Sequence, residues 1–449
     1  MSVGKTSINP FLFFAVLASS MIGAQIFGIS FSKISLIPLE IYILLHLKNT
    51  KIKLHQEKKM LLLWFGFIII SSSLNYIVSS SPLEGYKTVL LLNIAQTLIF
   101  LIPILLEIGE FDNIFEKTKK YILIIAKINC IWCIIQFIAW YIFSFDFNHF
   151  FFIDLLHGLF GDREWTASYN DSIAVAIRPT GLNHDPAFLS ILLVFGFVLT
   201  KSKFWKYFFF IGTLLAISRV GIVTIIFIAI YEKYKTGLMR IRMKTILSGS
   251  FFILLVGVSS FYVYNNNEFV NNQVNKVIGR MAAITSKNSN DGTNRHVMYF
   301  PAAIMTSLEL PFHNAILGVG PRTGGNAFIM TEAYKPFFEL NPGMKKDTWA
   351  IECDPAELLL GMGLIGFGLY YSIMFCLIRK YKKDIQSQMI FTTIIIFGVM
   401  YDVSMHPLIT LLLIMAVQKG PKDVNNPEDT PLEQAINFSG NAIDYMEKT

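Results

Sequence analysis

Long apolar runs are the feature of this sequence that most limits what it can fold into. Several stretches approach the roughly 20 apolar residues needed to cross the hydrocarbon core of a bilayer, among them 11–32, 60–79, 121–145 and 245–264. Only 15% of the residues are charged, whereas a soluble domain carries about 25%. One soluble core cannot bury so many such segments, so we predict an all-α, polytopic integral membrane protein. The first run is followed by another span rather than by a cleavage site, which predicts a retained helix.

The topology follows from the basic residues, which cluster between the apolar runs, where cytoplasmic loops carry their lysines and arginines. Placing every cluster on one side predicts about 12 transmembrane helices with both termini in the cytoplasm, if 204–231 and 388–417 are each a hairpin of two short helices. The membrane domain then occupies 1–418, and 419–449 is a disordered cytoplasmic tail. Because the net charge of +7 arises mainly from these anchors, no nucleic-acid partner is expected. The clusters lie at 48–59, 117–120, 201–206, 233–244 and 379–383.

This topology places two long polar segments, 146–186 and 265–352, on the outer face. The second is too long for a simple connection, so we expect chemistry there. Arginines stand out, because the planar guanidinium binds phosphate bidentately. Arg219 lies inside an apolar stretch, where a charge costs about 2.5 to 3.5 kcal/mol on insertion scales; alternatively, it snorkels from a short hairpin. The other candidate arginines lie in these two segments and are Arg178, Arg280, Arg295 and Arg322.

Three carboxylates, Glu352, Asp354 and Glu357, lie where the large loop re-enters the membrane. Acids at the mouth of a helix bundle can bind a sugar hydroxyl or accept its proton. The alternative is that they decorate a helix N-terminus, where negative charge is favourable, although Glu357 lies a turn further in. A cation at Glu352 and Asp354 would need more ligands than the sequence supplies, so no metal is predicted.

Two further segments admit both a functional and a structural interpretation. The glycine-rich segment 318–325, which contains Arg322, is either a tight turn or a backbone nest for an anion. His184, just before Asp185-Pro186, is a candidate base or hydroxyl ligand, but Asn and Asp before proline also start helices.

The order of these motifs resembles the superfamily of O-antigen ligases and Wzy-type oligosaccharide repeat-unit polymerases, over about residues 175–370. Ligases carry a His-Asn pair at the end of the large periplasmic loop, followed by a Glu-x-Gly-x-x-Gly run. Here Glu352-Cys353 and Gly361 occupy those places, which favours a polymerase. The resemblance rests on Arg178-Pro-Thr-Gly, Asp185-Pro186, Ser218-Arg219-x-Gly221, Arg280, Arg295, Gly318-Val-Gly320 and Gly363-Leu-Ile-Gly366.

The resemblance implies a GT-C-like glycosyltransferase of the bacterial cytoplasmic (inner) membrane with its active site facing the periplasm. Such an enzyme transfers a growing glycan from undecaprenyl pyrophosphate to a new lipid-linked repeat unit. It needs no cofactor, and a separate chain-length regulator protein is a further partner. The alternatives are a ligase that uses a different acceptor and a transporter or flippase of an anionic lipid-linked substrate.

Residue roles follow from that chemistry. Guanidinium groups would stabilise the charge that develops on the pyrophosphate, and a carboxylate would accept the proton of the attacking hydroxyl. The predicted catalytic residues are Arg219, Arg295, Glu357 and Asp354, and the predicted substrate-binding residues are Arg178, Arg280, Arg322, His184 and Glu352.

Overall fold

The computed structural model is mostly helical, with three short two-stranded antiparallel hairpins. It describes residues 9–21, 25–26, 29–30, 34–35, 37–45, 50–52, 54–79, 85–108, 114–143, 145–155, 167–171, 174–183, 185–235, 292–331, 335 and 351–418.

The helices of the described residues, in chain order, are α1 (Pro10–Ser20), α2 (Ile37–Leu45), α3 (Gln56–Val78), α4 (Tyr86–Leu105), α5 (Ile114–Phe143), α6 (Phe147–His149), α7 (Pro186–Leu199), α8 (Lys203–Leu215), α9 (Arg219–Lys235), α10 (Gly292–Glu309), α11 (Phe312–Leu317), α12 (Gly325–Ile329), α13 (Asp354–Gly361), α14 (Gly363–Lys380), α15 (Ile385–Gly398) and α16 (Pro407–Val417). A π-helical stretch, Phe150–Leu155, follows α6. The strands are β1 (Gln25–Ile26), β2 (Ile29–Ser30), β3 (Thr50–Ile52), β4 (Leu106–Ile108), β5 (Ala167–Asp171) and β6 (Ala174–Arg178), which pair as β1–β2, β3–β4 and β5–β6.

Among the described residues, four helices, α3, α4, α5 and α14, are long and apolar enough to cross a membrane. Four more apolar helices, α1, α7, α15 and α16, are shorter. The chain is therefore a membrane protein of mainly helical architecture. The predicted short-helix pairs are confirmed, because α8 and α9 occupy 204–231 and α15 and α16 occupy 388–417.

The predicted span over 11–32 is wrong in its second half. Helix α1 ends at Ser20, and β1 and β2 follow as a tight hairpin. Ser19 and Ser20 donate their hydroxyl hydrogen bonds to the carbonyls of Val16 and Leu17, a pattern that bends or ends helices. The predicted span over 245–264 and the predicted tail over 419–449 lie outside the described residues.

Helices α7 and α16 lie at the centre of the bundle. Every residue from Leu408 to Val417 is buried, and so are nearly all residues of α7. Other helices cover both of them: α5, α8, α9 and α15 pack on α7, and α1, α3, α4 and α5 pack on α16. The starts of α7 and α16 are therefore held in fixed positions.

The basic clusters meet at one end of the bundle, here called the lysine end. Lys119 Nζ lies 2.8 Å from Asp384 Oδ2, and Lys206 Nζ lies 2.7 Å from Glu232 Oε2. Gln386 donates a hydrogen bond to the Leu199 carbonyl, so α15 begins where α7 ends. These contacts join clusters that the sequence analysis placed on one side of the membrane.

Asp384 organises the lysine end by capping α15. Its side chain accepts hydrogen bonds from the backbone N–H groups of Gln386 and Ser387 and from the Lys119 ammonium. Burial alone would raise the pKa of Asp384, but hydrogen bonds from Lys119 and Ser387 outweigh it and hold the pKa below its usual value. The cap and the ion pair thus fix the α15 start to α5.

Candidate active site at the carboxylate end

Asp354, at the start of α13, lies at the end of the bundle opposite the lysine end, here called the carboxylate end. Its buried side chain does not cap its own helix. Instead, Oδ1 accepts hydrogen bonds from the backbone N–H groups of Val403 and Ser404, at 2.9 and 2.8 Å. Asp354 therefore fastens α13 to the loop between α15 and α16, which is a different role from the helix-start decoration considered for it.

Glu357 lies on the same face of α13, because residues three apart on a helix are neighbours. It is buried, and each of its oxygens accepts a backbone hydrogen bond, from Gly324 at 3.1 Å and from Ile351 at 2.8 Å. A Cβ at Gly324 would lie 2.8 Å from the Glu357 carboxyl, so glycine is needed for this approach. With both oxygens engaged, Glu357 fits an anchoring role better than the predicted proton transfer.

Asp402, in the α15–α16 loop, completes the cluster, and the sequence analysis missed it. Its carboxyl hydrogen-bonds with that of Asp354, and its side chain is 12% exposed. The available signal was a lone acid, in Tyr401-Asp402, in the turn of a predicted hairpin of two apolar helices. We had used that hairpin only to count spans.

The carboxyls perturb one another. Burial raises the pKa of Asp354 and of Glu357 well above the usual range, and the nearby charge of Asp402 raises both further. Backbone N–H donors oppose the rise at both residues. Two carboxyls in direct contact cannot both ionise readily, so the contact with Asp402 favours the protonated form of Asp354.

Arg322 extends from the glycine-rich turn toward this cluster. The turn is the tight turn that the sequence allowed: Gly318 and Gly320 have φ of +79° and +115°, and Arg322 itself has φ of +57°. A non-glycine residue rarely adopts a positive φ. The turn is held by backbone hydrogen bonds from Val319 and Gly320 to the last carbonyls of α13. Arg322 Nε lies 3.9 Å from Asp402 Oδ2, beyond hydrogen-bond distance.

Arg178 and Arg219 meet at the turn between α8 and α9. Arg178 Nε donates to the Ala216 carbonyl at 3.0 Å and Nη2 donates to the Ile217 carbonyl at 3.1 Å. A cation is favourable at a helix C-terminus, where carbonyls lack partners, so Arg178 holds the turn that precedes Arg219. Arg219 is half-buried and begins α9.

His406, just before α16, packs against the start of α7, and the α8–α9 turn is joined to α7 by the hydrogen bond that Ser218 donates to Ser190. The His406 ring lies 5.0 Å from the Phe188 ring of α7, and its Nδ1 accepts the Leu408 N–H at 3.1 Å to cap α16. Burial, with a smaller contribution from Arg322, lowers its pKa to about 3. The imidazole is therefore neutral near pH 7 and carries its proton on Nε2. Nothing in the sequence singled out His406, because its spacing from other histidines and cysteines is not that of a metal site.

The remaining predicted site residues lie elsewhere. Glu352 is exposed, so it does not join the buried carboxyls. Arg295 lies in α10, but its side chain is outside the described residues, as are Arg280 and His184. Within the part of the chain that the structure describes, no group of three or more His, Cys, Asp or Glu could hold a metal ion.

No family model matches the chain, and no curated protein matches it. The resemblance to the ligase and polymerase superfamily therefore stays a prediction. The function is inferred below from the residues at the carboxylate end.

Proposed function

We propose that the protein is a glycosyltransferase that joins undecaprenyl-pyrophosphate-linked oligosaccharide repeat units into a polysaccharide such as O-antigen or capsule. The growing glycan is transferred to a new repeat unit, and undecaprenyl pyrophosphate is released. One observation carries the proposal: Arg178, Arg219 and Arg322 lie at the same end of the bundle as Asp354 and Asp402. Transfer from a pyrophosphate needs cations at the leaving group and a carboxylate at the attacking hydroxyl.

The wider setting belongs to the same proposal. About 12 spanning helices in a GT-C-like arrangement would place the carboxylate end at the periplasmic face of a bacterial inner membrane, with the lysine end in the cytoplasm. Clustering of the lysines at one end supports that orientation. The partners are the lipid-linked donor and acceptor, the surrounding lipid and a chain-length regulator.

Arg219 is the leading candidate for stabilising the leaving group. When the sugar–phosphate bond breaks, the electron pair passes to the pyrophosphate. A guanidinium about 4 Å away, at an effective dielectric of about 20, is worth roughly 4 kcal/mol before desolvation. The hydrogen bonds from Arg178 to the preceding turn fix the start of α9, so Arg219 is positioned before substrate arrives. Arg295 and Arg280 would add cations from the large loop.

The test is chain growth by purified protein reconstituted with one lipid-linked repeat unit, read on a gel as a single unit or a ladder. We expect Arg219→Ala to abolish the ladder while the melting temperature is kept. Arg379→Ala is the matched control, because Arg379 is exposed at the lysine end, and it should keep full activity. A wild-type protein that makes no ladder from native substrate, or an Arg219→Ala protein that makes a normal one, would refute the proposal.

A second candidate, proton-coupled transport of an anionic lipid-linked substrate, is favoured by the contact between the buried Asp354 and the partly exposed Asp402. Carboxyls that share a proton within a membrane bundle serve as relays in pumps and transporters. Proteoliposomes separate the two functions: a transporter moves a fluorescent lipid-linked oligosaccharide between leaflets without lengthening it, whereas a polymerase lengthens it.

A further inference from the structure

Arg322 is a guanidinium with unused donors. It is 40% exposed and makes one ionic contact among the described residues, the 3.9 Å approach to Asp402. Its five N–H groups therefore keep most of their hydrogen-bonding capacity. The positive φ of Arg322 places this side chain beside a carboxylate at some cost in backbone strain.

His406 supplies a second unused donor nearby. The residue is 8% exposed, and within the described part of the chain its Nε2 has no hydrogen-bond partner. A buried polar atom without a partner is destabilising, so such an atom points to a ligand. Arg322 lies close enough to influence the charge of this imidazole.

Asp402 is the accessible acceptor among the three carboxyls. Asp354 and Glu357 are buried and accept backbone N–H hydrogen bonds. Asp402 is partly open, and besides its contact with Asp354 it accepts, among the described residues, a long hydrogen bond of 3.4 Å from the Ser404 hydroxyl. Its neighbour Asp354 is fully enclosed and holds two backbone N–H groups, so Asp402 is the member of the pair that an incoming hydroxyl can reach.

We propose that Asp402, Arg322 and His406 form the site for the acceptor sugar, with Asp402 as the catalytic proton acceptor. This inference rests on the proposed function. The acceptor hydroxyl oxygen forms a bond to the anomeric carbon of the donor glycan, and the bond from that carbon to the pyrophosphate oxygen breaks. The hydroxyl proton passes to the Asp402 carboxylate, and the bond's electron pair leaves with undecaprenyl pyrophosphate.

The chemistry of the site fits a sugar. Neighbouring hydroxyls of a sugar ring both donate and accept hydrogen bonds. Here the Asp402 acceptor lies 3.9 Å from the Arg322 donor, and the His406 donor belongs to the same loop, four residues after Asp402. The Phe188 ring next to His406 adds an apolar surface, and sites for small polar ligands combine such surfaces with a few placed polar groups. Arg322 and His406 therefore bind and orient the acceptor, while Asp402 performs the proton transfer.

The experiment measures ladder formation by reconstituted protein at varied repeat-unit concentration. We expect Asp402→Ala to lower kcat by about 100-fold or more, the usual contribution of a general base, and added formate to restore part of the rate. His406→Asn keeps an oxygen that can cap α16 but removes Nε2–H, so KM should rise more than kcat falls. Glu232→Gln removes a carboxylate at the lysine end and should keep the wild-type rate.

Each outcome decides the inference. A wild-type kcat in Asp402→Ala overturns the inference but not the proposed polymerase. The same conclusion follows if formate does not restore the kcat lost in Asp402→Ala and His406→Asn has an unchanged KM. If Asp402→Ala does not fold, Asp402→Asn is used instead, and its kcat alone decides: a large fall supports the inference and a wild-type kcat overturns it. A wild-type protein that makes no ladder overturns the proposed function, and this inference falls with it.

Discussion

Replacing Gly363 by alanine tests how the carboxylate end is held together. Gly363 begins α14 with φ of +64°. A Cβ there would lie 2.6 Å from the Gly318 amide nitrogen and closer still to the Ile316 carbonyl. Because both neighbours are backbone atoms, the added methyl group can be accommodated only if the turn that carries Arg322 moves away from α13.

The cost can be estimated from the contacts that would be lost. A left-handed φ costs a non-glycine residue about 1 to 2 kcal/mol. Moving the turn breaks the hydrogen bonds from Val319 to Leu360 and from Gly320 to Gly361, 2.9 and 2.8 Å long, each worth about 0.5 to 1.5 kcal/mol. The sum is a loss of about 2 to 5 kcal/mol in the free energy of unfolding.

Gly368 provides the matched control within the same helix. A Cβ at Gly368 meets no atom within 4 Å, and alanine inside a helix is favoured over glycine by up to about 1 kcal/mol. Thermal unfolding in detergent, followed by tryptophan fluorescence, should give a lower melting temperature for Gly363→Ala and an equal or higher one for Gly368→Ala. Equal melting temperatures for the two variants would refute the packing described for this turn.

Two further predictions concern charge. Burial raises the pKa of folded Asp354, so the stability this group contributes is present below its unfolded pKa and is lost as pH rises through the folded pKa. Asp354→Asn keeps an acceptor for Val403 and Ser404 but cannot ionise, so the melting temperature of this variant minus that of wild type should increase as pH rises. A difference that does not change with pH would contradict this. Lys119→Met leaves Asp384 without its ammonium partner and should lower the free energy of unfolding by about 1 to 3 kcal/mol. Lys382 is exposed, so Lys382→Met should change that free energy by less than about 0.5 kcal/mol. Similar melting temperatures for the two variants would count against the ion pair.

Hydropathy predicted the long helices well, because a run of apolar residues leaves few alternatives in a bilayer. It also predicted that 204–231 and 388–417 would each form two helices. It failed after Ser20, where serine hydroxyls bond back to the helix carbonyls, an effect that an average over residue polarity does not capture.

The candidate site was predicted in part. Asp354 and Arg322 could be singled out because polar residues at the edge of an apolar run are unusual. Asp402 and His406 could not, because their importance depends on the loop before α16 folding against the start of α13, a contact between segments distant in the chain. Glu357 drew attention for its position, but only the backbone N–H groups around it reveal that it acts as an anchor.

The burial of α16 also bears on the order in which the protein matures. Helices α1 to α15 are synthesised before α16, and the loop that carries Asp402 and His406 comes immediately before α16 in the chain. The proposed acceptor site can therefore form only after this part of the chain has been made, and a nascent chain halted before residue 402 would lack it.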